Sequence, residues 1–176
     1  MDIKEIEINM SQDDNITMPI EETQFLKQTN KKTVRIKTLN DTASIPKRGT
    51  SCSAGYDLYA NITEEIKIEP HETVPIGTGL AMELPEGYFG AIFARSGLAI
   101  KRGLGLANSV GVVDEDYRGE FIVALHNFSN ETQFVAPGER IAQLILMEYT
   151  PMNFELVESL SDTDRGSGGF GSTGTK

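Results

Sequence analysis

From Lys32 onward the chain is a succession of short apolar runs, each cut by Gly, Pro or Asn. This punctuation constrains the fold more than any other feature, because no window of the region keeps a helical period over several turns. Residues 33–39, 66–68, 73–76, 80–84, 88–94, 121–126 and 141–147 read as strands. They are rich in Val, Ile, Leu, Phe and Tyr, and the last is a nearly unbroken apolar run suited to a buried strand. Between them, residues 45–53 read as loop, Pro85-Glu86-Gly87 as a turn, and 127–130 as a second turn. Only residues 96–102 can make a helix, and a short one. Many brief strands at close spacing indicate an all-β barrel or sandwich.

Charge divides the chain further. The 176 residues carry 16 Lys and Arg against 26 Asp and Glu, a formal net charge of −10. Residues 1–30 hold seven acids and two bases, so about half of that excess sits in a polar, glycine-free segment that reads as an N-terminal extension. Residues 31–160 form the expected β-domain. Residues 161–176 shift to Gly, Ser and Thr and read as a flexible C-terminal arm on composition alone. A GxGxxG match at Gly166, Gly168 and Gly171 lacks the helix and distal acid that a dinucleotide fold needs.

Several classes are excluded by these features. The lone Cys52 can form neither an internal disulfide nor a multi-cysteine zinc site, which suits a reducing compartment. No stretch approaches the ~20 apolar residues of a membrane span, and the N-terminus has neither the basic start nor the apolar run of a signal peptide. The expectation is a cytoplasmic protein with no membrane partner. Acidity argues equally against a nucleic-acid partner, since phosphate tracking needs clustered Lys and Arg. A small phosphorylated ligand stays open, because a few well-placed cations can hold one.

Five separated stretches carry chemistry. They are Ala54-Gly55-Tyr56-Asp57, Arg95-Ser96-Gly97, Asn108 through Val112-Val113-Asp114 and Tyr117 to Glu120, Gly138-Glu139-Arg140 with Gln143, and Arg165 through Phe170-Gly171 to Gly174. In this order and spacing they closely resemble the five motifs of the trimeric dUTPases, the deoxyuridine triphosphate nucleotidohydrolases. The resemblance runs from about residue 33 to 174. It implies an all-β, jelly-roll-like barrel of the β-clip type, a homotrimer, and a C-terminal arm swapped onto a site built by other subunits. It also implies Mg²⁺ as cofactor and dUTP as substrate. Water attack on the α-phosphate gives dUMP and pyrophosphate, which keeps uracil out of DNA and supplies dUMP for dTMP synthesis.

The resemblance assigns roles that can be weighed against blander readings. Asp114 would orient and deprotonate the attacking water, although three consecutive acids at a turn could be no more than a solvated loop. Glu115 and Asp116 are expected to face solvent. Main-chain groups around Val112 and Val113, with Asn108 and Ile122, would read the acceptor–donor–acceptor edge of uracil. Cytosine would leave such groups unpaired, a mismatch that can discriminate ~10⁴–10⁵-fold. Tyr117 would lie against the deoxyribose and exclude a 2′-hydroxyl, where otherwise it would be a half-buried strand tyrosine. Arg95, Ser96, Gly97 and Gln143 would grip the phosphates, and Asp57 would hold Mg²⁺ through water. Arg140 reads equally as a structural ion-pair partner. Arg165 would clamp the γ-phosphate, while Phe170 would stack on uracil and Gly171 would let the backbone approach.

Two alternatives remain at this level. A dCTP deaminase shares the superfamily, but such proteins lack the tyrosine after the catalytic aspartate and the glycine-rich arm. A nucleotide-sensing module with little turnover would have no chemical need for Asp114, Tyr117, Arg165 and Phe170 together.

Overall fold

The computed structural model describes residues 31–169. Among them lie twelve strands and one short helix, so the chain is all-β as expected. Every strand pairing is antiparallel.

The largest sheet has five strands in the order β2(Lys47–Arg48), β3(Tyr56–Tyr59), β12(Arg140–Glu148), β7(Tyr88–Ala94) and β9(Val110–Val113). A three-stranded sheet places β10(Ile122–Asn127) between β5(Thr73–Gly77) and β8(Leu104–Leu106). Two pairs complete the fold: β1(Arg35–Thr38) with β6(Leu80–Glu83), and β11(Gln133–Val135) with β4(Ile66–Ile68). An ion pair between the cross-strand partners Arg35 and Glu83 ties the first of these. The hydrogen bond from Arg35, with its charge, holds the Glu83 carboxyl below its usual range. A depressed carboxylate contributes stability above its unfolded pKa and loses it as pH falls through the folded one, so this tie weakens only in acid.

All four sheets feed one core. Leu58, Ile68, Ile76, Leu80, Phe121, Val123, Leu125, Val135 and Ile141 are essentially inaccessible to water and pack in one cluster. Strand β10 shows the alternation that achieves this: Val123, Leu125 and Asn127 point inward, while Ile122 points out. Strand β12 departs from it, burying the consecutive Ile141 and Ala142, where its pairing with β3 shifts register between Arg140 and Ala142. Each such aliphatic side chain contributes about 1.5–3 kcal/mol by leaving water.

Asn127 has a role beyond the expected turn at 127–130. It ends β10 fully buried, its Nδ2 against the carbonyls of Ile68, Glu69 and Glu131, and its Oδ1 accepting from the Ser129 N–H and hydroxyl. A buried amide with every group paired fixes the loop on the β4–β11 pair.

The predicted helix is α1(Ser96–Arg102), which follows β7 directly. It ends at Gly103, whose φ of 63° is the left-handed cap conformation that favours glycine, with its N–H on Ala99 O. Arg102 in the last turn reaches the β11–β12 region, donating to Glu139 Oε1 at 2.5 Å, to Gln133 Oε1 at 3.2 Å and to Phe134 O. The helix is thus clamped where β7 leaves the five-stranded sheet.

Candidate active site split along strand β7

Register in the five-stranded sheet brings the first, second and fourth motifs together. Asp57 on β3 stands opposite Gln143 on β12, and Gln143 stands opposite Phe93 on β7. Residues directly opposite share a sheet face, so Asp57 and Gln143 project side by side. The Asp57 carboxylate, only 14% exposed, accepts Arg95 Nε on Oδ1 at 2.9 Å and an Arg140 terminal nitrogen on Oδ2 at 3.1 Å. Arg95 also donates to the Arg140 carbonyl at 3.4 Å. Gln143 Nε2 donates to Ala94 O at 3.0 Å, and its Oε1 lies where a Cβ on Gly55 would come to 2.5 Å. That close approach gives Gly55 its reason: any side chain there would displace Gln143.

This cluster can hold an anion. Two guanidiniums share one carboxylate, leaving the trio net positive. The N–H groups of Ser96 and Gly97 open α1, whose first internal bonds start at the Leu98 and Ala99 N–H groups, both on Arg95 O. Ser96 and Gly97 are exposed beside Arg95. Lys47, the β2 partner of Asp57 in register, adds a cation to the same row. Composition carries no signal for Lys47, because a two-residue strand inside a polar loop has no periodicity to detect.

The donor set bears on a metal. No group of three His, Cys, Asp or Glu able to hold an ion occurs among the described residues. Both Asp57 oxygens are engaged by arginine, which leaves room for contact through water and little for direct ligation. That suits a hydrated hard cation whose remaining ligands come from phosphate oxygens.

The third motif lies elsewhere. Strand β9 pairs with β7 on one side only and is a sheet edge, so alternate backbone N–H and C=O groups of Val110–Val113 point away from the sheet. Val112 is 64% exposed there. Asn108 shapes the approach, its carbonyl accepting the Val110 N–H at 2.6 Å, with Ser109 at φ 60° between them. Ile122 begins β10 at a stretch that β8 does not cover and is 52% exposed. Two incompletely paired backbone edges therefore flank the connection 114–121.

Within that connection the Tyr117 N–H bonds Asp114 O at 3.2 Å, and the Tyr117 hydroxyl donates to Glu120 O at 3.1 Å. The ring folds over Gly119, where a Cβ would meet the phenol oxygen at 2.4 Å. Tyr117 is pinned at its tip while its face stays exposed. Asp114 and Asp116 are exposed. Glu115 differs from expectation: it is half-buried, and its Oε2 accepts the Gly87 N–H at 2.6 Å.

Asp114 and the anion cluster stand at opposite ends of β7. Val113 pairs with Gly90, which puts Asp114 beside Phe89, while Arg95 follows Ala94 at the other end. At ~3.3 Å per residue the two positions are about 20 Å apart.

Past β12 the chain has no regular element through residue 169, and Phe154, Leu156 and Leu160 are almost wholly exposed. A turn follows, with the Gly166 N–H on Thr163 O and Arg165 Nε donating to Gly168 O at 3.0 Å. Phe170 and Gly171 lie outside the described residues, as does the N-terminal extension. Cys52 is exposed and free. His71 and His126 bond Asn130 and Thr73 respectively, within the scaffold. No helix among the described residues is long and apolar enough to cross a membrane.

A family model described as dUTPase matches residues 41–174. The chain is a member of the dUTPase family. A deoxyuridine 5'-triphosphate nucleotidohydrolase of Desulfitobacterium hafniense is 51% identical over 131 residues, spanning 74% of this chain and 87% of that protein. One from Orientia tsutsugamushi is 44% identical over 134 residues, spanning 76% and 90%. Among solved structures, a Staphylococcus bacteriophage 80alpha dUTPase variant with dUpNHpp is similar at TM-score 0.70 and 28% identity, covering 82% of this chain and 99% of that one. The match to dUTPases spans β2 to β12 and continues through the glycine-rich segment.

Proposed function

We propose that the chain hydrolyses dUTP to dUMP and pyrophosphate in a site completed by further copies of itself. The observation that carries this reading is the separation along β7. About 20 Å between Asp114 and Arg95 is longer than a triphosphate, which supports a site that takes Asp114 from one chain and its phosphate grip from another. A trimer with an exchanged arm meets that need, and the exposed Phe154, Leu156 and Leu160 support it as apolar groups awaiting a surface.

In this site uracil pairs with the outward backbone groups of Val112 and Val113, flanked by Asn108 and Ile122. The pinned Tyr117 ring forms the wall at the sugar. Arg95, Gln143, Ser96 and Gly97 bind the phosphates, with Arg140 holding Asp57 in place and Lys47 adding charge at the edge. Asp114 takes a proton from the water that attacks the α-phosphate, a task that asks for position more than for high basicity. Asp57 would hold a hydrated Mg²⁺ through water, and the ion would supply charge neutralisation for the triphosphate and the departing pyrophosphate. Arg165, Phe170 and Gly171 close the site against water. The free Cys52 suits a reducing cytoplasm.

The test is pyrophosphate release from dUTP, dTTP, dCTP and UTP in parallel, with and without Mg²⁺. Release from dUTP alone, dependent on the metal, is expected. Ammonia from dCTP would instead identify a deaminase, and tight dUTP binding without turnover a sensing module.

A further inference from the structure

Glu115 follows Asp114 directly, and the structure ties it to two other segments. Its Oε2 accepts the Gly87 N–H at 2.6 Å, inside the turn where the Tyr88 N–H bonds Pro85 O and Gly87 has φ 78°. The Gly87 carbonyl in turn accepts the N–H of Tyr149 at 3.1 Å. Tyr149 is the first residue after β12 and so the root of the exposed C-terminal segment. One residue, Gly87, therefore fastens the Asp114 loop through its N–H and the arm root through its C=O.

Around this point lies a recess of about 470 Å³ lined by Phe89, Val112, Asp114, Glu115, Asp116 and Tyr149. A hydrogen bond to Glu115 raises the Tyr149 phenol above its ordinary range, helped by burial and by the charges of Glu115, Glu86 and Asp114. The side chains of the two tied segments thus line one recess. Three successive carboxylates at 114–116 repel one another, and a loop of that kind keeps one shape only if something holds it. The Glu115–Gly87 bond does so from the front. Arg118 does so from behind, donating to the carbonyls of Glu115 at 2.6 Å and Tyr117 at 3.0 Å. Asp116, exposed and with no such bond among the described residues, is the internal control.

We propose that Glu115 is a positioning residue, which through Gly87 fixes the Asp114 loop to the segment leaving β12 at Tyr149 and so holds the base in place. The proposal rests on the reading of Asp114 as the base. A base displaced by about 1 Å can lose on the order of 10²-fold in rate, whereas substrate affinity, made by backbone edges and distant cations, should change little.

The experiment uses the full chain with Glu115→Ala, Glu115→Gln, Asp116→Ala and Asp114→Asn. For Glu115→Ala, kcat for dUTP should fall about 10-fold or more with KM within ~3-fold. Glu115→Gln keeps an acceptor oxygen and should recover most of the rate, while Asp116→Ala stays near wild type. Amide hydrogen exchange of Glu115→Ala should speed up together in peptides covering 85–88, 114–117 and 149–157. An active Glu115→Ala beside a dead Asp114→Asn overturns the proposal alone, as does exchange that rises only at 85–88 or a loss shared equally by Asp116→Ala. An active Asp114→Asn overturns the base reading and this proposal together.

Discussion

The two ends of β7 hold the two halves of the proposed site by different means. At the Arg95 end, side chains from β3, β12 and the position just after β7 are cross-linked: one carboxylate engages two guanidiniums, and Gln143 is seated over Gly55. Toward the Phe89 end, the proposed recognition is left to the open backbone edge of β9, where the Val112 side chain merely points outward. A phosphate chain is a diffuse charge that mobile cations can follow, so side chains suffice. A nucleobase is told from its analogues by the order of donors and acceptors along one edge, which a strand edge presents at fixed spacing. Substitution should therefore be costly at one end and well tolerated at the other, with Asp114, and the Glu115 that positions it, as the exception.

That exception gives the largest expected effect. Asp114→Asn keeps the shape of the carboxylate but cannot take a proton, and kcat should fall by about 10²–10⁴-fold. Binding of dUpNHpp, measured by calorimetry, should stay within a few-fold of wild type. Comparable turnover would remove Asp114 as the base and leave the Phe89 end with recognition only.

At the other end, Arg95→Ala removes a charge-assisted hydrogen bond to phosphate and also frees Asp57 to repel it. Such bonds are worth about 1.5–3 kcal/mol, so KM for dUTP should rise roughly 10–100-fold. Wild-type uracil-over-cytosine discrimination should survive if the base is read on β9, as proposed. A variant that lost discrimination along with affinity would break the division between the two ends.

How far this division was legible beforehand depends on the kind of link that makes it. The strands at 66–68 and 88–94 and the helix at 96–102 are visible because their apolar runs are bounded by Gly, Pro or polar residues. Strands β2, β3, β8, β9 and β11 escape, being only two to four residues long. The motif residues could be chosen by resemblance, but their grouping could not be seen, since Asp57 meets Arg140 across 83 positions and only the register of β3 on β12 brings them together. For the same reason the grip of Glu115 on Gly87, 28 positions away, was invisible, and a solvent-facing acid was the natural expectation.

The arm probes whether either end is complete without closure. Removing residues 165–176 takes away Arg165, Phe170 and Gly171 but, among the described residues, no buried core side chain. Turnover should drop about 10-fold or more as water enters the site, with the thermal midpoint unchanged within a degree or two. An unchanged rate would mean that the two ends suffice without a lid.

The smallest effect belongs to Val112→Ala. The side chain is exposed at an edge and packs against nothing in the core, so stability should change by less than about 0.5 kcal/mol. If uracil is read by main-chain groups, the ratio of kcat/KM for dUTP over dCTP should also hold within ~3-fold, despite the residue's place at the centre of the recognition edge. A large loss of discrimination from so small a truncation would show that the valine side chain, and not the backbone, forms the specificity wall. The contrast between the ends of β7 would then collapse, because both would recognise their ligand through side chains.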